Sequence, residues 1–176
     1  LTTNFKRKIL KAYFEEEEAE FDISYIDEKE PLGTAGSLKL LPKKISQPFF
    51  VSNCDIIVKS NYDSIYNFHL TGGYDITLVA ATKEFIIPYG TCVLNEKGHL
   101  LKINEKPEFN FLVNAGLYVL NPSVIKLIPK NKFFHITNLI DDLLRKSLKV
   151  GVFPIDENEW IDVGEWAEYK KAVERL

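Results

Sequence analysis

Phe49-Phe50-Val51-Ser52-Asn53-Cys54-Asp55 is the stretch that decides the fold. It is a short apolar run that stops abruptly in small and polar residues. Such a run reads as a buried strand opening onto a site at its carboxyl end. In open α/β sheets ligands gather at the carboxyl ends of strands, which is where Asp55 stands. A carboxylate there suits a hard cation such as Mg²⁺ and the phosphates it brings. Asp is also a common turn residue, so a plain turn or a helix cap is the competing reading of Asp55.

Upstream, Glu30-Pro31-Leu32-Gly33-Thr34-Ala35-Gly36-Ser37-Leu38 places two glycines three apart. This predicts a tight turn into a short helix that ends before Pro42. A bare glycine also lets the backbone approach a flat ligand, such as a base, closely. Phe21 to Ile26 is β-rich, and Phe5, Ile9 and Tyr13 recur at the spacing of an amphipathic helix over residues 4–16. The acids Glu15 to Glu18 oppose the macrodipole of that helix and end or fray it in solvent.

Downstream, Ser60-Asn61-Tyr62-Asp63 resembles a capping box before a helix stopped by Gly72-Gly73, with His69 on or beside its apolar face. Asp75 to Ala81 reads as a strand. Tyr89 to Leu94 and Leu100 to Ile103 flank the turn Asn95-Glu96-Lys97-Gly98 as a hairpin. Glu105-Lys106-Pro107 closes its second strand. Phe111 to Leu120 is a strand interrupted by Asn114-Ala115-Gly116, where a glycine inside an apolar run signals close approach by another group. A short helix follows Pro122, and Ile136, Leu139, Ile140, Leu143 and Leu144 predict a second amphipathic helix. Val150 to Ile155 is a strand, Trp160-Ile161-Asp162-Val163-Gly164 sets an acid among apolar residues, and Glu165 to Val173 reads as a last helix. Strands and helices interleave first and an antiparallel block comes later, so the expectation is an α/β fold with a mixed sheet, in a single domain.

The totals narrow the function. A chain of 176 residues with 45% hydrophobic and 27% charged residues is an ordinary globular composition. A net charge of -3 argues against a dedicated nucleic-acid binder, and no apolar run approaches the length of a membrane span. Cys54 and Cys92 form no CxxC, which fits reduced thiols in a cytoplasmic protein. GxSxG, HExxH and GxxxxGK[ST] are absent, and none of His69, His99 and His135 stands in a suggestive setting. Carboxylate and lysine chemistry remains. Asp55 and Asp162 end or interrupt apolar strands, and Lys106 follows Glu105 at the end of another. Gathered around one pocket, they would suit Mg²⁺-dependent phosphoryl or nucleotidyl transfer. Spacing does not say whether Asp55 and Asp162 meet.

Leu32-Gly33-Thr34-Ala35-Gly36, Asn53-Cys54-Asp55, Tyr89-Gly90, Glu105-Lys106-Pro107, Asn114-Ala115-Gly116 and Trp160-Ile161-Asp162-Val163-Gly164 occur here in one order. That order resembles the sugar-1-phosphate nucleotidyltransferases, the nucleotide-sugar pyrophosphorylases, over almost the whole chain. The family's usual glycine before the metal aspartate is Cys54 here, a variant similar to the mannose-1-phosphate guanylyltransferase-like branch. The resemblance implies a three-layer, Rossmann-like, GT-A-like fold and an enzyme that makes an NDP-sugar and pyrophosphate from an NTP and a sugar 1-phosphate. It implies that Asp55 and Asp162 hold Mg²⁺ and that Gly33, Thr34 and Ala35 approach the nucleobase. Gly90, Glu105 and Asn114 would bind sugar hydroxyls, and Lys106 the sugar phosphate.

The chain departs from the family at its start. None of its nine glycines sits in the G-x-G-T-R pattern that cradles the triphosphate. The expectation is therefore the C-terminal two-thirds of a catalytic domain, truncated at the N-terminus and nearly inactive by itself. The strand at Phe49 would then lie at an open sheet edge, which favours self-association into a homo-oligomer. Two other readings compete: a non-catalytic nucleotide-sugar-binding or regulatory module, and a glycosyltransferase using a DxD motif, of which Asn53-Cys54-Asp55 is half.

Overall fold

In the computed structural model the residues described are 1–16, 21–42 and 44–164. Fourteen elements carry the argument. The first seven are β1 (Thr2–Thr3), α1 (Arg7–Glu16), β2 (Ile26–Asp27), α2 (Gly33–Gly36), β3 (Phe49–Ser52), β4 (Ile56–Val58) and α3 (Tyr62–Gly72). Then come β5 (Ile76–Ile86), β6 (Thr91–Leu94), β7 (Leu100–Asn104), β8 (Glu108–Leu120), α4 (Ile136–Arg145), β9 (Val150–Ile155) and β10 (Trp160–Asp162). Short 3₁₀ turns cover Ser37–Leu40, Pro122–Leu127 and Glu157–Glu159. A four-stranded sheet runs in the order β3-β8-β5-β9, so β3 is an edge strand among the described residues. β1 pairs in parallel with β2, β4 antiparallel with β10, and β6 antiparallel with β7. The α/β class and the mixed pairing expected from the sequence are what the structure has.

The chain divides into two compact units, and neither is one continuous segment. The first comprises residues 1–51, 69–77 and 119–151. Its core is Ile76, Val119, Leu120, Val124, Ile128, Leu139 and Leu143, all buried. The helical period sets Ile136, Leu139 and Leu143 on one face of α4, and that face is the buried one. Leu144 falls outside it and is exposed. The second unit comprises residues 52–68, 78–118 and 152–176, with Ile65, Val79, Ala80, Ala81, Ala115, Leu117, Val58 and Ile161 buried.

Several sequence expectations shift. The Phe21–Ile26 run forms a strand only at Ile26–Asp27, because its one ladder partner is the two-residue β1. α1 is a helix, but Phe5, Ile9 and Tyr13 are exposed rather than packed. α3 is capped by Asn61, whose Oδ1 accepts the Ser64 amide at 2.8 Å, and not by Ser60. β5 runs five residues beyond Ala81. The helix expected at Glu165–Val173 and two of the four acids, Glu17 and Glu18, lie outside the described residues. No helix among the described residues is long and apolar enough to cross a membrane.

Candidate functional site

β3 ends at Ser52, and a turn carries the chain through Asn53, Cys54 and Asp55 into β4. Antiparallel pairing of β4 with β10 sets Asp162 opposite Ile56, the neighbour of Asp55. The Val163 amide donates to the Asp55 carbonyl at 2.8 Å, and the Gly164 amide donates to Asp162 Oδ1 at 2.9 Å. A Cβ placed on Gly164 would lie 3.0 Å from Asp55 Oδ2 and 3.2 Å from Asp162 Oδ1. Both carboxylates therefore converge on the bare Cα of Gly164. Among the described residues neither aspartate has an ion-pair partner. Two hard oxygen donors that converge without a protein cation between them suit a divalent ion. No group of three His, Cys, Asp or Glu side chains gathers as a closed cage among the described residues.

A second cluster borders the turn. The Asn53 amide donates to the Gly116 carbonyl at 2.9 Å, and the Asn53 side chain fills the space where a Gly116 Cβ would be, with Nδ2 at 2.9 Å. Gly116 has φ +81, a left-handed conformation natural only to glycine. Its amide donates to Asn114 Oδ1 at 3.1 Å, while Asn114 Nδ2 donates to the Tyr118 hydroxyl at 2.7 Å. Tyr118 is buried, and burial pushes its phenol above the usual range, opposed by the Asn114 bond. The Asn114 amide is thus held at both ends. Trp160 Nε1 donates to the Ala115 carbonyl at 3.0 Å, and Lys83 Nζ stands 5.6 Å from the Trp160 ring centroid.

Gly90 and Glu105 also meet. A Cβ on Gly90 would lie 2.9 Å from Glu105 Oε2, so the glycine leaves room for that carboxylate. Lys106 is exposed and has φ +43, in the left-handed region, immediately before Pro107. Among the described residues no ion pair involves its ammonium.

Gly33, Thr34 and Ala35 belong to the first unit. The backbone that comes close to Gly33 is the chain's own: a Cβ there would lie 2.9 Å from the Phe134 carbonyl oxygen, and φ is +76. The same carbonyl accepts the Ala35 and Gly36 amides at 3.0 Å each. Thr34 Oγ1 accepts the Ile136 amide at 2.9 Å and so caps α4 across the fold.

The structure brings together Asp55 with Asp162, Gly90 with Glu105, and Asn53 with Asn114 through Gly116. Sequence reasoning gave no role to Asn53, Tyr118 or Gly164. Tyr118 was within reach, since a strand sets residues 114 and 118 on one face. The place of Asn53 over Gly116 depends on a pairing that no local pattern carries.

Comparison with known proteins adds the following. The sequence model of a family described as nucleotidyl transferase matches residues 1–176. A mannose-1-phosphate guanyltransferase of Debaryomyces hansenii is 36% identical over 174 residues, covering 94% of this chain and 48% of that protein. The Saccharomyces cerevisiae protein of the same name is 34% identical over 175 residues, with the same coverage. The chain thus spans about half the length of these relatives. Among solved structures, HddC from Yersinia pseudotuberculosis superposes with a TM-score of 0.74 at 25% identity, over 99% of this chain and 76% of that one. The inositol-1-phosphate CTP transferase of T. maritima shares the fold, with a TM-score of 0.66 at 17% identity over 99% of this chain and 73% of that one.

Proposed function

We infer the function from one premise: the chain belongs to the nucleotidyl transferase family. The protein that carries it joins the nucleotidyl group of an NTP to a sugar 1-phosphate, yielding an NDP-sugar and pyrophosphate. The observation that carries this reading is the convergence of Asp55 and Asp162 on Gly164. Mannose-1-phosphate guanyltransferases among the relatives support the substrate class. GTP and mannose 1-phosphate are the first pair to try.

Asp55 and Asp162 would hold Mg²⁺, which when bound neutralises charge on the reacting phosphates. Lys106 presents its ammonium to the sugar phosphate. Glu105, beside Gly90, and the doubly anchored Asn114 hold sugar hydroxyls. Of the three residues expected at the nucleobase, Gly33 and Thr34 remain open to that role, while Ala35 is fully buried and supports the turn beneath them. A phosphate oxygen of the sugar attacks the α-phosphorus in line, and pyrophosphate leaves with the electron pair of the broken bond. No covalent enzyme intermediate forms, so rate rests on positioning and charge. Charged nucleotide substrates and the free thiols Cys54 and Cys92 favour a cytoplasmic setting.

Metal binding tests the site in this chain directly. Asp55→Asn and Asp162→Asn should each weaken Mn²⁺ binding, read by electron paramagnetic resonance, by about tenfold or more, since each removes a charged ligand. Unchanged affinity in both variants would overturn the assignment. Pyrophosphate release from a panel of NTPs and sugar 1-phosphates then tests the reaction in the protein that carries the chain.

A further inference from the structure

Asn53 stands between the carboxylates proposed for the metal and the residues proposed for the sugar hydroxyls. Asp55 follows it by two residues, and its side chain rests on Gly116, two residues after Asn114. All four residues belong to the second unit. The backbone of Asn53 is fixed on both sides. Its amide donates to the Gly116 carbonyl at 2.9 Å, and its carbonyl accepts the Ser52 hydroxyl at 2.9 Å. The side chain is fixed by shape: Cβ, Cγ and Nδ2 lie 3.4, 3.2 and 2.9 Å from where a Cβ on Gly116 would be.

An asparagine in a turn commonly folds its side chain back onto its own backbone. Here it lies across the neighbouring strand instead, with the residue exposed. Among the described residues no hydrogen bond reaches its carboxamide. A side chain held by shape alone has already lost its rotamer freedom and keeps two N–H donors and an acceptor oxygen. Ordering it around a ligand therefore costs little. The carboxamide borders any ligand that reaches from the Asp55 turn to Asn114. A sugar 1-phosphate is such a ligand, with its phosphate toward the carboxylates and its hydroxyls toward Asn114.

We propose that Asn53 is a further substrate-binding residue, whose carboxamide N–H donates to an oxygen at the anomeric end of the sugar 1-phosphate; this rests on the nucleotidyl-transfer function proposed above. A neutral donor suits the place. A third carboxylate beside Asp55 and Asp162 would repel the phosphate, and an ammonium there would pair with the two acids in place of a metal ion. The bare Cα of Gly116 is what admits the side chain, so the glycine inside an apolar strand serves a neighbour's hydrogen bond.

Steady-state kinetics of the protein that carries the chain test this, with the NTP and sugar 1-phosphate that it turns over fastest. Asn53→Leu keeps a branched side chain over Gly116 and removes the amide. It should raise KM for the sugar 1-phosphate about tenfold or more, as loss of one hydrogen bond to a charged or polar ligand would. KM for the NTP and the affinity for Mn²⁺, read by electron paramagnetic resonance, should stay within about twofold. An unchanged KM for the sugar 1-phosphate assigns Asn53 to packing and overturns the proposal. A loss of Mn²⁺ affinity that matches the rise in KM places the effect in the Asp55 turn and overturns it as well. If the unaltered protein turns over no pair, the nucleotidyl-transfer function falls and the proposal with it. Circular dichroism checks the fold. Should Asn53→Leu unfold, Asn53→Asp, of the same shape but without an N–H to donate, replaces it under the same KM criterion.

Discussion

Gly116 and Gly98 have nearly the same backbone, φ +81 and φ +78, in different surroundings. Beside Gly116 a methyl group would meet Asn53, while beside Gly98 it would meet nothing within 4 Å. Alanine at Gly98 should therefore cost only the left-handed backbone, about 1 kcal/mol. Alanine at Gly116 should cost the same plus the displacement of Asn53, for a total of about 2–3 kcal/mol. Urea denaturation of the two variants measures the difference, and equal losses would remove the packing role assigned to Gly116. At this scale the sequence was informative about residue types and silent about meetings. Asp55 was readable as a carboxylate at a strand end. That it faces Asp162 across Gly164 depends on the β4–β10 ladder, which joins segments far apart in the chain. Gly33 was readable as a position needing glycine, but the group that approaches it is the Phe134 carbonyl, which no local pattern announces.

The packing of α3 against β5 includes a titratable group. His69 is buried, and its Nδ1 lies 2.9 Å from Thr77 Oγ1. Burial pushes the imidazole below its usual range, opposed by Asn121 and Asp75. The unfolded chain then binds a proton more readily than the folded one. Stability should be fully present above the unfolded value of about 6.5 and fall as pH drops through it toward the folded value. Denaturation at a series of pH values from neutral to mildly acidic should show this, and His69→Gln should flatten the profile; an equally steep profile in the variant would assign the loss elsewhere. Elements with their own periodicity, such as α4 and the β6–β7 hairpin, were legible from sequence. Those whose existence depends on a distant partner were not: Phe21 to Ile26 has the composition of a strand, but among the described residues it joins a ladder only at Ile26, with Asp27 following.

At the scale of the whole molecule, the chain passes back and forth between its two units, so no single cut releases either one. Residues 119–151 supply Val119, Leu120, Val124, Ile128, Leu139 and Leu143 to the core of the first unit. A chain ending at residue 118 should lose that core and show no cooperative thermal transition by circular dichroism; a sharp transition would mean that residues 1–118 find a core of their own. Interleaving of this kind is invisible to a reading of composition, because no linker or change of character marks where the chain crosses. Lys106 has a bearing on how such a molecule can change. Its left-handed backbone before a proline is a conformation that glycine would adopt with less strain, yet glycine has no ammonium. On the proposed role of its ammonium at the sugar phosphate, stability and chemistry push in opposite directions at this turn, and a lineage that drifted away from that chemistry would be free to relax here first.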